Sequence, residues 1–427
     1  MRFLIASVGS NGDMNPYVGV GAALRERGHE VALIAQPYFE RMVREAGLEF
    51  VAAGERFDLS LIAENPGMMA ARTGSVRILR GFVIPAAADM YRVANECIAN
   101  ARPDAIFCHH LAFGPIWAAK GAGVPFAVGS LTPLMFLSAH DRCVYDASGR
   151  ETRPGFINTL RRRMILFISG LLYDAPLNRM RRELGLPKLR DQLTRDVWGA
   201  PLTLGLWSEQ FRAPMVDDPP RAKICGFVWH DRHREQEHAP KEIERFLDDG
   251  EPPVIFTLGS TAVHVAGPFY EAAAGACAKL GRRGLLLTGK REYAPRKLPP
   301  GVAAFTYAPF SAVLPRGCAT VHHGGIGTTA QAMRAGRPTV IVPFAHDQFD
   351  NAARERRLGV SATVPRTQVS ADSLAAALGR VLADPECLEK AAALGRALSS
   401  EDGAAVSAGS LERLGSDGKL QQIANAH

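Results

Sequence analysis

The chain is 427 residues long, 47% hydrophobic, 22% charged and 7% aromatic, which excludes disordered and fibrous architectures and predicts two or three domains with full cores. Lys and Arg total 50 against 43 Asp and Glu, a net charge of +7. These basic residues are scattered apart from knots at Arg161, Arg162 and Arg163 and at Arg354 to Arg357, the latter interrupted by Glu355, so nucleic-acid binding, which needs a stripe or a tail, is not expected.

In chain order, residues 3–7 read as a strand that ends in a Gly-rich loop. A helical pattern through Tyr17, Val20 and Leu24 follows, closed by Gly28. Residues 31–35, 105–108 and 124–129 read as further strands, an alternation that predicts a parallel sheet covered on both faces. Between 140 and 200 the alternation breaks. A helical insertion packed on the first domain and an acceptor-pocket wall both fit the apolar spacing there, and the wall reading adds Met68, Met69, Phe82, Leu134 and Phe136. The polar stretch 213–250 reads as linker. The strand–helix pattern then restarts at 254–258, with a helix over 268–280, strands at 285–287, 303–307, 319–321 and 339–342, and a helical segment over 370–398.

This layout predicts an α/β protein of two doubly wound, Rossmann-like domains facing a cleft. The expected boundaries are 1–212 for an acceptor-binding domain, 213–240 for a hinge, 241–400 for a donor-binding domain and 401–427 for a tail. The first eight residues are too short for a signal peptide, and the longest apolar run, 164–173, is about half a membrane span. Seven isolated cysteines without a C-x-x-C pair argue against a disulfide or zinc scaffold. A cytoplasmic protein with no integral membrane segment is expected, as monomer or homodimer. The run His230-Asp231-Arg232-His233 with Glu235, Glu237 and His238 fits no zinc template and reads as solvated linker, so no metal is expected.

The densest motif is Val321-His322-His323-Gly324-Gly325-Ile326-Gly327-Thr328-Thr329. An apolar strand ends, glycines open a tight loop and a helix begins. Backbone N–H groups and the helix dipole make such a start an anion site. An ordinary strand–turn–helix connection would read the same way. Tyr307-Ala308-Pro309-Phe310 precedes it, and Phe344-Ala345-His346-Asp347-Gln348-Phe349-Asp350-Asn351 follows it.

Read together, residues 307–351 resemble the nucleotide-sugar signature of glycosyltransferase family 1, with its GT-B fold and inverting chemistry, and most of all its bacterial rhamnosyltransferases of the rhamnolipid type. The resemblance extends to the Gly9-Ser10-Asn11-Gly12-Asp13 loop. It implies that Tyr307 and Ala308 meet the base. It puts His322, Gly324, Gly325, Gly327, Thr328, Ser260 and Thr261 at the diphosphate, and Asp347 and Gln348 at the sugar hydroxyls. Eight residues after the pyrophosphate His the family usually has a Glu for the ribose; counted from His322 that position is Ala330, with Gln331 next. Loss of the carboxylate favours thymidine diphosphate over uridine diphosphate, hence dTDP-L-rhamnose first and UDP-glucose second.

Asp13 stands where the family often has its catalytic His, and a carboxylate there is placed to deprotonate an acceptor hydroxyl. Asp is also a favoured helix cap, so both readings stand. His109 is a candidate partner for Asp13 with the roles exchanged. The implied partners are a nucleotide-sugar donor and an apolar, hydroxyl-bearing acceptor such as a hydroxy-fatty acid, polyketide or flavonoid, with no cofactor. Two alternatives remain: a nicotinamide-dependent oxidoreductase, although the first loop lacks G-x-G-x-x-G, and a non-catalytic nucleotide-sugar binder.

Overall fold

A computed structural model describes residues 1–54, 60–230 and 239–425. The first sheet holds seven strands: β1 (Arg2–Ala6), β2 (Glu30–Ala35), β3 (Glu49–Ala52), β4 (Ala105–His109), β5 (Phe126–Ser130), β6 (Leu202–Gly205) and β7 (Ala222–Ile224). Their order is β3-β2-β1-β4-β5-β6-β7, every pairing parallel. The second sheet holds β8 (Val254–Thr257), β9 (Gly284–Leu287), β10 (Val302–Phe305), β11 (Ala319–His322), β12 (Thr339–Ile341) and β13 (Ser361–Thr363), in the order β10-β9-β8-β11-β12-β13 and again parallel. The short apolar runs form strands because both faces are covered: β4, β5, β8 and β9 are buried along their whole length.

In each sheet the chain reverses its direction of growth between two neighbouring strands, β1 and β4 in the first, β8 and β11 in the second. Crevices form at such switch points, beyond the carboxyl ends of the strands. The carboxyl ends of β1, β4, β8 and β11 and the turns and helix starts that follow them carry Asp13, His109, Ser260 and the glycine-rich motif, so topology alone collects these motifs at the mouths of two facing sheets.

The helices that matter to the site are α1 (Asn11–Glu26), α2 (Ile84–Ala101), α3 (Phe113–Ala122) and α4 (Phe156–Ser169) in the first half. In the second they are α5 (Phe269–Leu280), α6 (Ile326–Arg334), α7 (Gln348–Leu358), α8 (Ala371–Ala383), α9 (Pro385–Ser399) and α10 (Gly403–Asn425). The single helical segment expected over 370–398 is two helices. Asp384 caps α9 by accepting from the N–H groups of Glu386 and Cys387, and Pro385 at the first helical position cannot continue α8. The expected hinge 213–240 contains β7, which pairs with β6 as the edge of the first sheet; its three-residue length gave no periodic signal. Asp231 to His238, discounted above as a metal site, lie outside the described residues.

Several ties cross between the halves, two of them built from charged clusters. The loop at 138–152 brings Asp141 onto Arg354 of α7, with Arg354 Nη2 donating to Asp141 Oδ2 at 2.7 Å and its Nε to Asp350 Oδ2 at 2.7 Å. Arg212 adds a second cation to Asp141 at 3.3 Å, and the Val144 N–H donates to Asp350 Oδ1 at 2.8 Å. All four charged groups are buried or nearly so. Further on, α10 leaves the second half and lies along α1, where Glu412 meets Arg27 at 2.9 Å and His29 at 2.7 Å. No helix among the described residues is long and apolar enough to cross a membrane.

Candidate active site

A cavity of about 770 Å³ lies between the two sheets, lined from the first by Asn11, Gly12, Asn15 and Pro16 and from the second by Gly259, Ser260, Tyr307, Ala308, Gly327 and Thr328. Two helix starts face each other across it: a Cβ built on Gly327, in the first turn of α6, would lie 4.0 Å from Gly12 Cα in the first turn of α1. The first N–H groups of α6 have no partners within their helix, and Gly325 at its cap contributes no side-chain bond, so these donors are available to an anion. Two glycines are required here. Gly324 has φ +84°, and Gly259, at φ +63°, leaves the space that the His323 ring fills, only 2.6 Å from where a Cβ would stand.

The two adjacent histidines divide. His322 points into the second half: its Nδ1 accepts from the Gly324 N–H at 3.1 Å, its Nε2 faces Glu355 Oε1 at 3.7 Å, and burial pushes it down to about 3. His323 turns to the loops instead, packed between Gly259 and Gly325. Of the two, His323 rather than His322 stands against the loops that border the cavity. The physical reason is that successive side chains leaving a strand point to opposite faces. Burial pushes His323 down to about 4, so at neutral pH it is an uncharged imidazole. The same eight-residue offset, counted from His323, falls on Gln331, which lines the cavity beside Ala330. Tyr307 presents an exposed ring at this wall, and Ala308 is buried behind it. Thr261 does not line the cavity, although its neighbour Ser260 does.

Asp13 serves both of its readings at once. Its Oδ2 accepts from the Ser10 N–H at 2.7 Å and from the Ser10 hydroxyl at 2.9 Å, closing the capping box of α1. Its Oδ1 faces His109 Nε2 at 3.7 Å, and the side chain is 35% exposed. His109 Nδ1 accepts from the Leu111 N–H at 3.2 Å, which leaves the proton on Nε2, toward Asp13. Burial pushes His109 down to about 3 and raises Asp13 above the usual carboxylate range. Pro16 has no N–H, so the Gly12 carbonyl at the cavity lacks its i+4 donor.

Family models match both halves: the glycosyltransferase family 28 N-terminal domain over residues 3–130, and the erythromycin biosynthesis protein CIII-like C-terminal domain over 285–414. The O-mycaminosyltylonolide 6-deoxyallosyltransferase of Streptomyces fradiae is 32% identical over 430 residues, spanning 94% of this chain and 95% of its own. This chain belongs to the family 28/EryCIII-like glycosyltransferases. The solved glycotransferase of kitacinnamycin superposes with a TM-score of 0.74 at 23% identity, covering 97% of this chain and 98% of its own. Glycosyltransferase VinC, solved with dTDP, gives 0.70 at 20%, covering 98% and 100%. Both share the GT-B fold. The nicotinamide-dependent alternative is thereby set aside.

In this glycosyltransferase the expected acceptor wall is largely core. Met69, Phe82 and Phe136 are buried and none lines the cavity; Phe136 packs edge-on to Trp198 and Trp207. Apolar side chains of core and wall carry the same sequence signal, so spacing could not separate them. Met68 and Leu134 are half-buried and also off the cavity. The apolar wall consists instead of Tyr38, Met42, Leu131, Leu206, Phe227 and Trp229, which no motif marks.

On the far side of Asp13, Asp347 is pushed up to about 7, chiefly by burial and further by the charge of Asp13, while its Oδ2 accepts from Asn351 at 2.9 Å. Gln348 has committed its carboxamide oxygen to the N–H groups of Phe344 and Ala345, at 2.8 and 3.0 Å. Sequence reasoning missed His346, a non-glycine residue at φ +59°. It reaches the first half, where Ser75 Oγ lies 3.0 Å from its Nδ1, and its field acts on Asp13. Among the described residues no group of three His, Cys, Asp or Glu is arranged to hold a metal ion.

Proposed function

We propose that this glycosyltransferase moves a 6-deoxyhexose, dTDP-L-rhamnose being the first donor to try, onto a hydroxyl of an apolar small molecule of polyketide type, with inversion. The observation that carries the reading is the juxtaposition of two helix starts, at Gly12 and Gly327, with Asp13 in the first turn of α1 and its Oδ1 turned to His109. The diphosphate lies against the start of α6, hydrogen-bonded by its backbone N–H groups, Thr328 and Ser260, with His323 behind the loop. The base stacks on Tyr307. Asp13 Oδ1 takes the acceptor's proton as the hydroxyl oxygen attacks the anomeric carbon, forming the new C–O bond. The bond from that carbon to the diphosphate breaks, and its electron pair leaves with the nucleoside diphosphate. Donors preorganised for the departing charge are worth about 3–4 kcal/mol each, and no step of this scheme calls for a metal.

Ala330 where a ribose-binding carboxylate is usual, with neutral Gln331 beside it on the cavity wall, supports a deoxyribose nucleotide. So does the VinC structure named for its dTDP, while the relative named a 6-deoxyallosyltransferase supports a 6-deoxy sugar. A second reading, glucose transfer to a sterol, is favoured by relatives named sterol 3-beta-glucosyltransferases, such as that of Yarrowia lipolytica at 28% identity.

A donor panel tests both. Purified protein is given dTDP-rhamnose, dTDP-glucose, UDP-glucose or UDP-GlcNAc with pooled polyketide, hydroxy-fatty-acid, flavonoid and sterol acceptors, and diphosphate release and product mass are scored. Turnover with dTDP-sugars alone is expected. Preference for UDP-glucose with a sterol overturns the donor and acceptor in favour of the second reading, and dTDP binding without turnover of any donor returns the non-catalytic alternative.

A further inference from the structure

Away from the cleft, α4 turns an apolar strip to solvent. Phe156, Ile157, Leu160, Met164, Phe167 and Ile168 are all exposed, the first two at 82% and Phe167 at 66%. At the helical repeat these positions fall within an arc of about 120°. Leu171 extends the strip into the π-turn that follows. Seven of the thirteen large apolar side chains exposed among the described residues are therefore gathered on one segment, which is concentration rather than the usual scatter.

The charges around the strip are ordered as well. Arg161 and Arg163, both exposed, project about 20° outside its two edges. Arg162 lies on the other side, where its charge acts on Asp217. No Asp or Glu occurs from 156 to 171. The inner side of the helix is firmly held: Asn158 is buried and donates to the carbonyls of Ala139 and Asp141 at 2.8 and 3.2 Å, and Arg80 Nη2 donates to the Leu172 carbonyl at 2.9 Å.

We infer that α4 is a membrane-docking element, lying in the plane of an anionic bilayer with its strip at the acyl boundary and Arg161 and Arg163 on lipid phosphates. An apolar arc edged on both sides by arginine, with no acid in it, matches a surface whose hydrocarbon lies beneath anionic headgroups. A second copy of this chain is a poorer match, because a two-fold contact would bring the arginines of one strip to those of the other on proteins of charge +7. The protein would rest on the bilayer rather than span it, its first half toward the lipid. The inference does not depend on the donor or acceptor proposed above.

Co-sedimentation of the full chain with phosphatidylglycerol-containing vesicles, against pure phosphatidylcholine vesicles, tests it at low and high salt. Binding to the anionic vesicles at low salt is expected. Leu160→Glu/Phe167→Glu and Arg161→Glu/Arg163→Glu should each lower the bound fraction about tenfold or more. Thermal shift with dTDP should be unchanged in both, which shows that the fold and the cleft are intact. Three outcomes overturn the inference: wild-type protein that stays in the supernatant, binding indifferent to the apolar replacements, or light scattering that reveals a dimer abolished by Phe167→Glu.

Discussion

Asp13→Asn separates the two jobs of that side chain. The cap needs an acceptor for the Ser10 N–H at 2.7 Å and the Ser10 hydroxyl at 2.9 Å, and an amide oxygen accepts both. Stability should therefore stay within about 1 kcal/mol of wild type. The other end of the group is changed in kind: in place of Oδ1, 3.7 Å from His109 Nε2, stands an NH₂ that cannot take a proton. Loss of a positioned general base costs about 10²–10⁴-fold in turnover, or about 3–5 kcal/mol of activation free energy. Asp13→Ala is the companion variant. It loses both Ser10 bonds and should also lose about 0.5–2 kcal/mol of stability, visible as a lower melting temperature.

The assay is diphosphate release and product mass at saturating donor, with dTDP affinity measured by calorimetry. kcat should collapse while dTDP affinity holds, because in the proposed mechanism Asp13 acts on the acceptor and not the nucleotide. A pH profile gives an independent readout. Burial raises the pKa of Asp13, so wild-type rates should fall as pH drops through that raised value, when the base becomes protonated. The Asn variant should show no such acid limb. If it turned over within a few-fold of wild type, or kept the limb unchanged, the base would be another group.

Four further outcomes follow from the geometry. His323→Asn should weaken dTDP binding about tenfold, whereas His322→Asn, which strips the acceptor of the Gly324 N–H at 3.1 Å, should mainly lower the melting temperature; the reverse pattern would return the diphosphate role to His322. Gln331→Glu should shift the ratio of UDP- to dTDP-sugar turnover upward about tenfold, and an unchanged ratio would remove Gln331 from donor choice. Arg354→Met leaves Asp141 and Asp350 buried without their shared cation and should cost about 3–5 kcal/mol, so a melt within about a degree of wild type would refute the weight given to this tie. Burial pushes Glu355 up to about 8, so it holds its proton in the folded protein after the unfolded chain has ionised. Its stabilisation is full below the ordinary glutamate value of 4.5 and is lost as pH rises toward about 8. Wild type should therefore lose more melting temperature than Glu355→Gln between about pH 5 and about pH 8.

What the sequence makes legible here is what strand ends make local. A run such as Val-Ile-Phe-Thr, a Gly-Ser-Thr turn and a helix start are contiguous, and a parallel sheet then has little choice about where its switch points fall. The features that stayed hidden depend on face or on distance. His322 and His323 are neighbours in one motif, and only the strand's register decides which turns into the second half and which packs against the Gly259 and Gly325 loops. Phe136 and Leu131 are alike as residues, yet one packs on two tryptophans in the core and the other lines the cleft. Asp141 and Arg354 are 213 positions apart, and nothing local to either announces the other.

That last pair bears on how the site works. Asp13 belongs to one sheet and the phosphate loop to the other, so their separation is a property of the interface and of neither domain alone. Two charged ties help set it: the Asp141–Arg354–Asp350 cluster on one side, and the return of α10 onto α1 through Glu412 on the other. Neither touches the cavity. A near-attack geometry tolerates displacement of only about 1 Å before rates fall about 10²-fold. Substitutions at Asp141 or Arg354 should therefore depress kcat beyond what their effect on global stability accounts for. In temperature-controlled kinetics well below the melting transition, that loss should persist, because it reports misalignment of Asp13 with the start of α6 and not a shrinking folded population.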